Sequence, residues 1–110
     1  MKKYVYLIRL GDTDVYKIGF SKNPKTRIKY LQTANPYTLT LVDSYLCSRA
    51  SIVEGTLHRR YNGMKVDENE IKLNGEFFRL DNDTVKKFKE TCEKIDTNFQ
   101  IIADMSTLYN

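Results

Sequence analysis

Apolar and polar side chains alternate through Tyr4, Val5, Tyr6, Leu7 and Ile8, break at Gly11-Asp12-Thr13-Asp14, and alternate again over residues 15–20. Two such runs around turn-forming residues predict a β-hairpin. Asn23 followed by Pro24 offers a cap and a preorganised first helical residue, Ile28 and Leu31 supply an apolar stripe, and Asn35-Pro36 stops it. A helix is expected over residues 24–33. Residues 38–46 are again β-branched and alternating, which predicts a third strand beside the hairpin. Ala50, Val53, Leu57 and Tyr61 then recur at helical spacing, so a second helix is expected from about Ser48 until Asn62-Gly63 closes it.

The second half carries weaker signals. Residues 64–73 are polar and acidic, with Asp67, Glu68 and Glu70, and are expected to form a mobile loop. Asn74-Gly75-Glu76-Phe77-Phe78-Arg79-Leu80 has the pattern of a turn entering a short strand. Asp83 is expected to cap a last helix that buries Val85, Phe88, Cys92 and Ile95 and leaves Lys86, Lys87, Lys89 and Glu90 in water. Residues 99–103 fit a strand or a packed tail. No repeat, low-complexity tract or linker interrupts the chain. The fold class expected is α+β, a small central, mainly antiparallel β-sheet flanked by helices.

With 110 residues, 41% apolar and 29% charged, there is material for one modest core and not for two. A formal charge of +4 and a pI near 9.0 suit a surface that tolerates polyanions, although such a charge is also common in proteins that never meet nucleic acid. Cys47 and Cys92 are the only cysteines and lack metal-ligand spacing, which argues against a disulfide framework or a zinc knuckle and fits a reducing compartment. Met1-Lys2-Lys3 runs into strand sequence without an apolar leader segment, and no apolar run approaches the roughly 18 residues that span a bilayer. The chain is therefore expected to be soluble, intracellular and cytoplasmic, in the host cytoplasm if viral, with the nucleus as the alternative.

Tyr6, Lys17 and Arg27 lie where two strands and a helix can converge. A phenol relays protons, an amine depresses a neighbour's pKa, and a guanidinium clamps oxyanion charge, a set suited to phosphate esters. The order of these elements, a strand with Tyr6, a strand with Lys17-Ile18-Gly19, a helix with Arg27, a strand, and a helix with Glu54-Gly55-Thr56-Leu57-His58, followed by Gly75-Glu76-Phe77-Phe78, resembles the GIY-YIG nuclease superfamily. It is most similar to the short phage and fungal meiotically up-regulated branch. The resemblance covers residues 4–80, so the chain is expected to be one such domain over residues 1–110, with residues 81–110 a C-terminal helical extension.

The resemblance implies a metal-dependent endonuclease that hydrolyses DNA phosphodiester bonds with Mg²⁺ or Mn²⁺. It puts Tyr6 at the attacking water or its relay, Arg27 on the scissile phosphate, and the single cation on Glu54. Family enzymes usually carry tyrosine at the position of Lys17, which leaves the base open between Tyr6 and Lys17. Tyr16 is one residue out of register, and strand alternation sends it to the opposite face. His58, one turn after Glu54, either contacts phosphate, orients Glu54, or is a surface histidine. Each role has a plainer competitor. Gly19 permits the close approach of a phosphate strand or simply of the first helix. Arg27 can belong to a solvated basic face with Lys22, Lys25 and Lys29. Ser51 and Glu54 satisfy the capping-box spacing. Glu76 is a second acidic ligand or, more simply, a partner for Arg79 or another basic residue across the sheet. Asn62 and Asn74 are candidates for a polar amide near the metal, or turn residues beside glycine.

Lys22, Lys25, Lys29, Arg59 and Arg60 are candidate phosphate-tracking residues along the cleft, or ordinary solubilising charge. Tyr30, Tyr37 and Tyr45 can stack on bases but are more often core or interface material. The rival functions are a non-catalytic DNA-binding module on the same scaffold and a regulatory or host-interaction protein whose tyrosine-rich sheet is a protein interface. RNA cleavage uses the same phosphate chemistry. A chain this short has little material for sequence recognition, so a homodimer or a partner protein is expected wherever specificity is needed.

Overall fold

A computed structural model of the chain describes residues 1–71, 73 and 75–109. Strand β1 (Lys3–Leu10) and strand β2 (Val15–Ser21) form the expected hairpin. Its turn is closed by Gly11 at φ 54 and by the Thr13 hydroxyl, which donates to the Leu10 carbonyl at 2.6 Å and accepts from the Val15 amide at 3.1 Å. Helix α1 (Pro24–Gln32) starts at Asn23, whose side chain accepts from the Thr26 amide at 3.2 Å. Strand β3 (Leu39–Cys47) and helix α2 (Ala50–Arg60) follow, then a 3₁₀ turn (Asn62–Met64), helix α3 (Glu68–Ile71), strand β4 (Phe77–Arg79), helix α4 (Asn82–Lys86) and helix α5 (Phe88–Tyr109). The four strands form an antiparallel sheet in the order β3-β1-β2-β4. The α+β class read from the sequence is the class observed.

Register divides the core in two. Tyr6 pairs with Gly19, Leu7 with Ile18 and Ile8 with Lys17. Alternation therefore sends Val5, Leu7, Tyr16 and Ile18 to one face, where Val53 and Leu57 of α2 and Phe88, Cys92 and Ile95 of α5 cover them. Tyr6, Ile8, Leu10 and Val15 face the other way, under Ile28 and Leu31 of α1 and against Val66, Ile71 and Phe77. β4 pairs with β2 only from Val15 to Lys17, so the outer edge of β2 from Ile18 onward has no strand partner among the described residues.

Three expectations need correction. The polar segment at residues 64–73 is not a free loop: Val66 and Ile71 are buried, the Val66 amide donates to the Phe77 carbonyl at 2.8 Å, and Glu68–Ile71 is a helical turn. Its acidic surface hid two apolar anchors; Lys72 lies outside the described residues. The last helical region is capped by Asp81, whose side chain accepts from the Thr84 amide at 2.8 Å, while Asp83 sits in the first turn and pairs with Lys87 at 3.2 Å. Residues 99–103 are neither strand nor irregular tail but continue α5. Among the described residues, no helix is long and apolar enough to cross a membrane.

Leu57 is fully buried between α2 and the hairpin. Leu57→Ala is expected to lower unfolding free energy by about 2–5 kcal/mol, read as a fall in the urea midpoint with unchanged slope.

Candidate active site

The chemistry gathers where the pairing of β2 with β4 ends. Lys17 and Gly19 share a face with Tyr6 because Gly19 is the cross-strand partner of Tyr6. The phenol lies directly across Gly19: a Cβ there would stand 2.9 Å from Tyr6 Cε1 and nearer still to Cζ and Oη. The glycine thus makes room for the Tyr6 ring, rather than for the backbone or helix expected from the sequence. Arg27, one turn into α1, reaches the same phenol. Burial raises the Tyr6 pKa, the Arg27 hydrogen bond and charge oppose that rise, and the Glu54 charge adds to it.

Lys17 directs its ammonium over the Phe77 ring, 5.2 Å from the centroid. The loop passes it at Gly75, which has φ 110 and where a Cβ would come within 3.2 Å of Lys17 Nζ. Burial lowers the Lys17 pKa and the Arg27 charge lowers it further, against the opposing pull of Glu54 and Glu76. Glu54 reaches the cluster from α2. Burial raises its pKa, His58 and Lys17 pull it back, and Glu76 raises it again. Tyr6, Lys17, Arg27 and Glu54 therefore lie within electrostatic reach of one another.

His58 fastens this corner. Its Nε2 is 2.8 Å from the Ile18 carbonyl oxygen on the open edge and 3.6 Å from Glu54 Oε1, and its Nδ1 bonds the Glu76 carboxylate. The ring also meets Phe78 edge-on at 5.0 Å. Lys65 completes the chain, 3.2 Å from the other Glu76 oxygen. The His58 and Lys65 hydrogen bonds hold the Glu76 carboxyl below its ordinary pKa. Both His58 nitrogens are thus occupied by protein acceptors, a geometry that orients α2 rather than offering the ring to phosphate.

The other candidates are more dispersed. α2 starts at Arg49 without a side-chain cap, so Glu54 is not engaged in a capping box with Ser51. Arg79 pairs with Asp14 at 3.1 Å and Glu70 at 2.8 Å rather than with Glu76. Lys22, Lys25 and Lys29 are exposed around α1, and Lys22 and Lys25 flank a hollow shared with Tyr4 and Ser44. Arg59 folds back to Thr56 at 3.2 Å, and helical spacing puts it and Arg60 roughly 140° and 240° around α2 from Glu54, off the cluster side. Tyr30 is exposed under the Arg27 guanidinium at 5.2 Å, whereas the Tyr45 hydroxyl donates to Asp96 at 2.9 Å as a packing contact. Asn62 belongs to the 3₁₀ turn, and Asn74 lies outside the described residues. Sequence reading missed Lys65, the Ile18 carbonyl and the Phe77 ring as parts of the site. Only the last was foreshadowed, by the Gly-Glu-Phe-Phe motif.

No cluster of three or more acidic, histidine or cysteine side chains that could hold an ion by itself exists among the described residues. The Glu54 carboxylate is a different kind of donor. It is partly buried, and it accepts no hydrogen bond among the described residues. That fits one oxygen ligand for a hard cation that keeps most of its waters.

Residues 3–93 match the model of the T5orf172 domain, a domain found in phage and other nuclease-like and homing-endonuclease-associated proteins. No curated protein and no solved structure matches the chain.

A carboxyl whose folded pKa is raised destabilises the fold above that pKa, where it is ionised against burial, and not below it, where it is protonated. Glu54→Gln is therefore expected to raise Tm at neutral pH, with the gain closing as pH falls through the carboxylate range. A thermal-melt series across pH checks this; a lower Tm at neutral pH would contradict it.

Proposed function

We propose that this chain, which belongs to the T5orf172 domain family, is a metal-dependent endonuclease of GIY-YIG type that hydrolyses DNA phosphodiester bonds. The observation that supports it most directly is the convergence of Tyr6, Lys17, Arg27 and Glu54 around the point where the pairing of β2 with β4 ends. Arg27 is exposed and has no carboxylate partner among the described residues, so its guanidinium is available to clamp a phosphate and the charge that grows on it. Glu54 would hold Mg²⁺ or Mn²⁺, which when bound stabilises negative charge on the departing 3′ oxygen.

The opposite pKa directions divide the proton work. Tyr6 is pushed up, so it remains a phenol that donates or relays. Lys17 is pushed down, so its neutral amine is reached at lower pH than for an ordinary lysine. We assign proton removal from the attacking water to Lys17, with Tyr6 as the relay. The exposed Lys22, Lys25 and Lys29 extend the positive surface along α1 for neighbouring phosphates.

Purified protein with supercoiled plasmid and Mg²⁺ or Mn²⁺ is expected to give nicked or linear product. Arg27→Ala and Glu54→Ala are expected to lose about 10²-fold or more of that rate while keeping a native circular-dichroism spectrum. Full activity in both variants would remove the site assignment, and salt-sensitive binding without cleavage under either ion would favour the binding-module alternative. The pH–rate profile is expected to rise through a pKa below the ordinary lysine value. Tyr6→Phe should lower the rate but keep that rise, and Lys17→Met should abolish it.

A further inference from the structure

Next to the cluster, beneath the C-terminal end of α1, lies a pocket of about 280 Å³. Leu31, Leu39, Leu73 and Phe77 form its apolar walls, Ala34 stands at its side, and its polar groups are Lys17 and Asn35. Lys17 is therefore shared between the pocket and the proposed catalytic cluster.

The pocket is built in advance of any ligand. Gln32 ties the connection from α1 to β3: its Nε2 donates to the Tyr37 carbonyl at 2.7 Å, and its Oε1 accepts from the Leu39 amide at 2.8 Å. The Asn35 Oδ1 is used by the Tyr37 amide at 2.9 Å, which leaves the Asn35 NH₂ without a bonded acceptor among the described residues. What remains is a slot with apolar sides, an amide and an ammonium in its lining, and no acidic lining residue among the described residues. Its ligand must present apolar faces, acceptor atoms on an edge, and attached negative charge beside Lys17. A nucleobase joined to its phosphate has all three, and a base stacked inside a continuous duplex cannot enter.

We propose that this pocket receives an unpaired nucleobase adjoining the phosphate held at Arg27 and Lys17, so that the substrate preferred is DNA with an unpaired nucleotide rather than continuous duplex. This rests on the phosphodiester reading of the neighbouring cluster. It deepens that reading by supplying selectivity from DNA structure, which a chain of this size can achieve without base-sequence readout.

The test uses the whole chain with a chelator present, so that binding is read without cleavage. Two DNA duplexes of one sequence are compared, one fully paired and one with a single unpaired 2-aminopurine. The wild type is expected to bind the second at least tenfold more tightly, with 2-aminopurine emission changing on binding. Ala34→Phe, which fills the pocket from an exposed position, is expected to reduce that ratio to near one, its thermal melt confirming the fold. Equal affinity of the wild type for both duplexes, or a folded Ala34→Phe protein that keeps the preference, would overturn the proposal. Plasmid nicking separates the two ideas: nicking without preference strikes the pocket alone, and preference without nicking under Mg²⁺ or Mn²⁺ strikes the cleavage reading.

Discussion

The brevity of β4 determines where the site lies. With only Phe77–Arg79 paired to β2, the backbone from Ile18 onward would leave a sheet edge with unmet polar groups. His58 answers the first of them by meeting the Ile18 carbonyl at 2.8 Å. That contact agrees with the rotation of α2 that buries Ala50, Val53 and Leu57 against the sheet. Glu54, one turn earlier, is carried to the same edge, where it stands opposite Lys17 and within 3.6 Å of the His58 ring. A longer β4 would pair the edge and exclude both side chains.

The groups gathered there are not arranged for stability. Glu54 and Tyr6 are pushed up and Lys17 is pushed down, each by burial first, although partners of opposite charge stand nearby. Mutual attraction inside the cluster reduces these shifts without reversing them. His58, Glu76 and Lys65 behave differently. Their contacts are mutual and hold Glu76 as a carboxylate, so they stabilise a corner of the fold. One group of side chains is thus perturbed mainly by burial, and its neighbour is held by mutual contacts.

The parts of the fold legible in the sequence are those governed by local period. The hairpin, α1, β3 and α2 appear within a residue or two of where alternation and helical spacing put them. Residues 64–73 misled because two buried apolar positions, Val66 and Ile71, sit among exposed acidic ones and no period links them. Asp81 and Asp83 are both chemically competent caps, and only the chain direction leaving β4 selects the first. The site divides in the same way. Tyr6, Lys17, Arg27 and Glu54 could be named from motif order, because their placement follows from strand register and helix phase. The partnership of His58 with Glu76 and the Ile18 carbonyl could not, since it depends on where β4 stops.

The lysine at position 17 makes chemical sense in this setting. Desolvation disfavours the charged form of any group, but that form is the conjugate base of a phenol and the conjugate acid of an amine. The same burial that keeps Tyr6 protonated leaves more of Lys17 as the neutral amine that can take a proton, and a second phenol at position 17 would be driven the way Tyr6 is. Arg27 lowers both pKa values, working against burial at the phenol and with it at the amine. On the proposed reading, departure from the tyrosine of the namesake motif moves the base toward neutral pH without any new charge in the pocket. It requires only that the amine stay shielded, and the Phe77 ring beneath it and the bare Cα of Gly75 above it are positioned to do that.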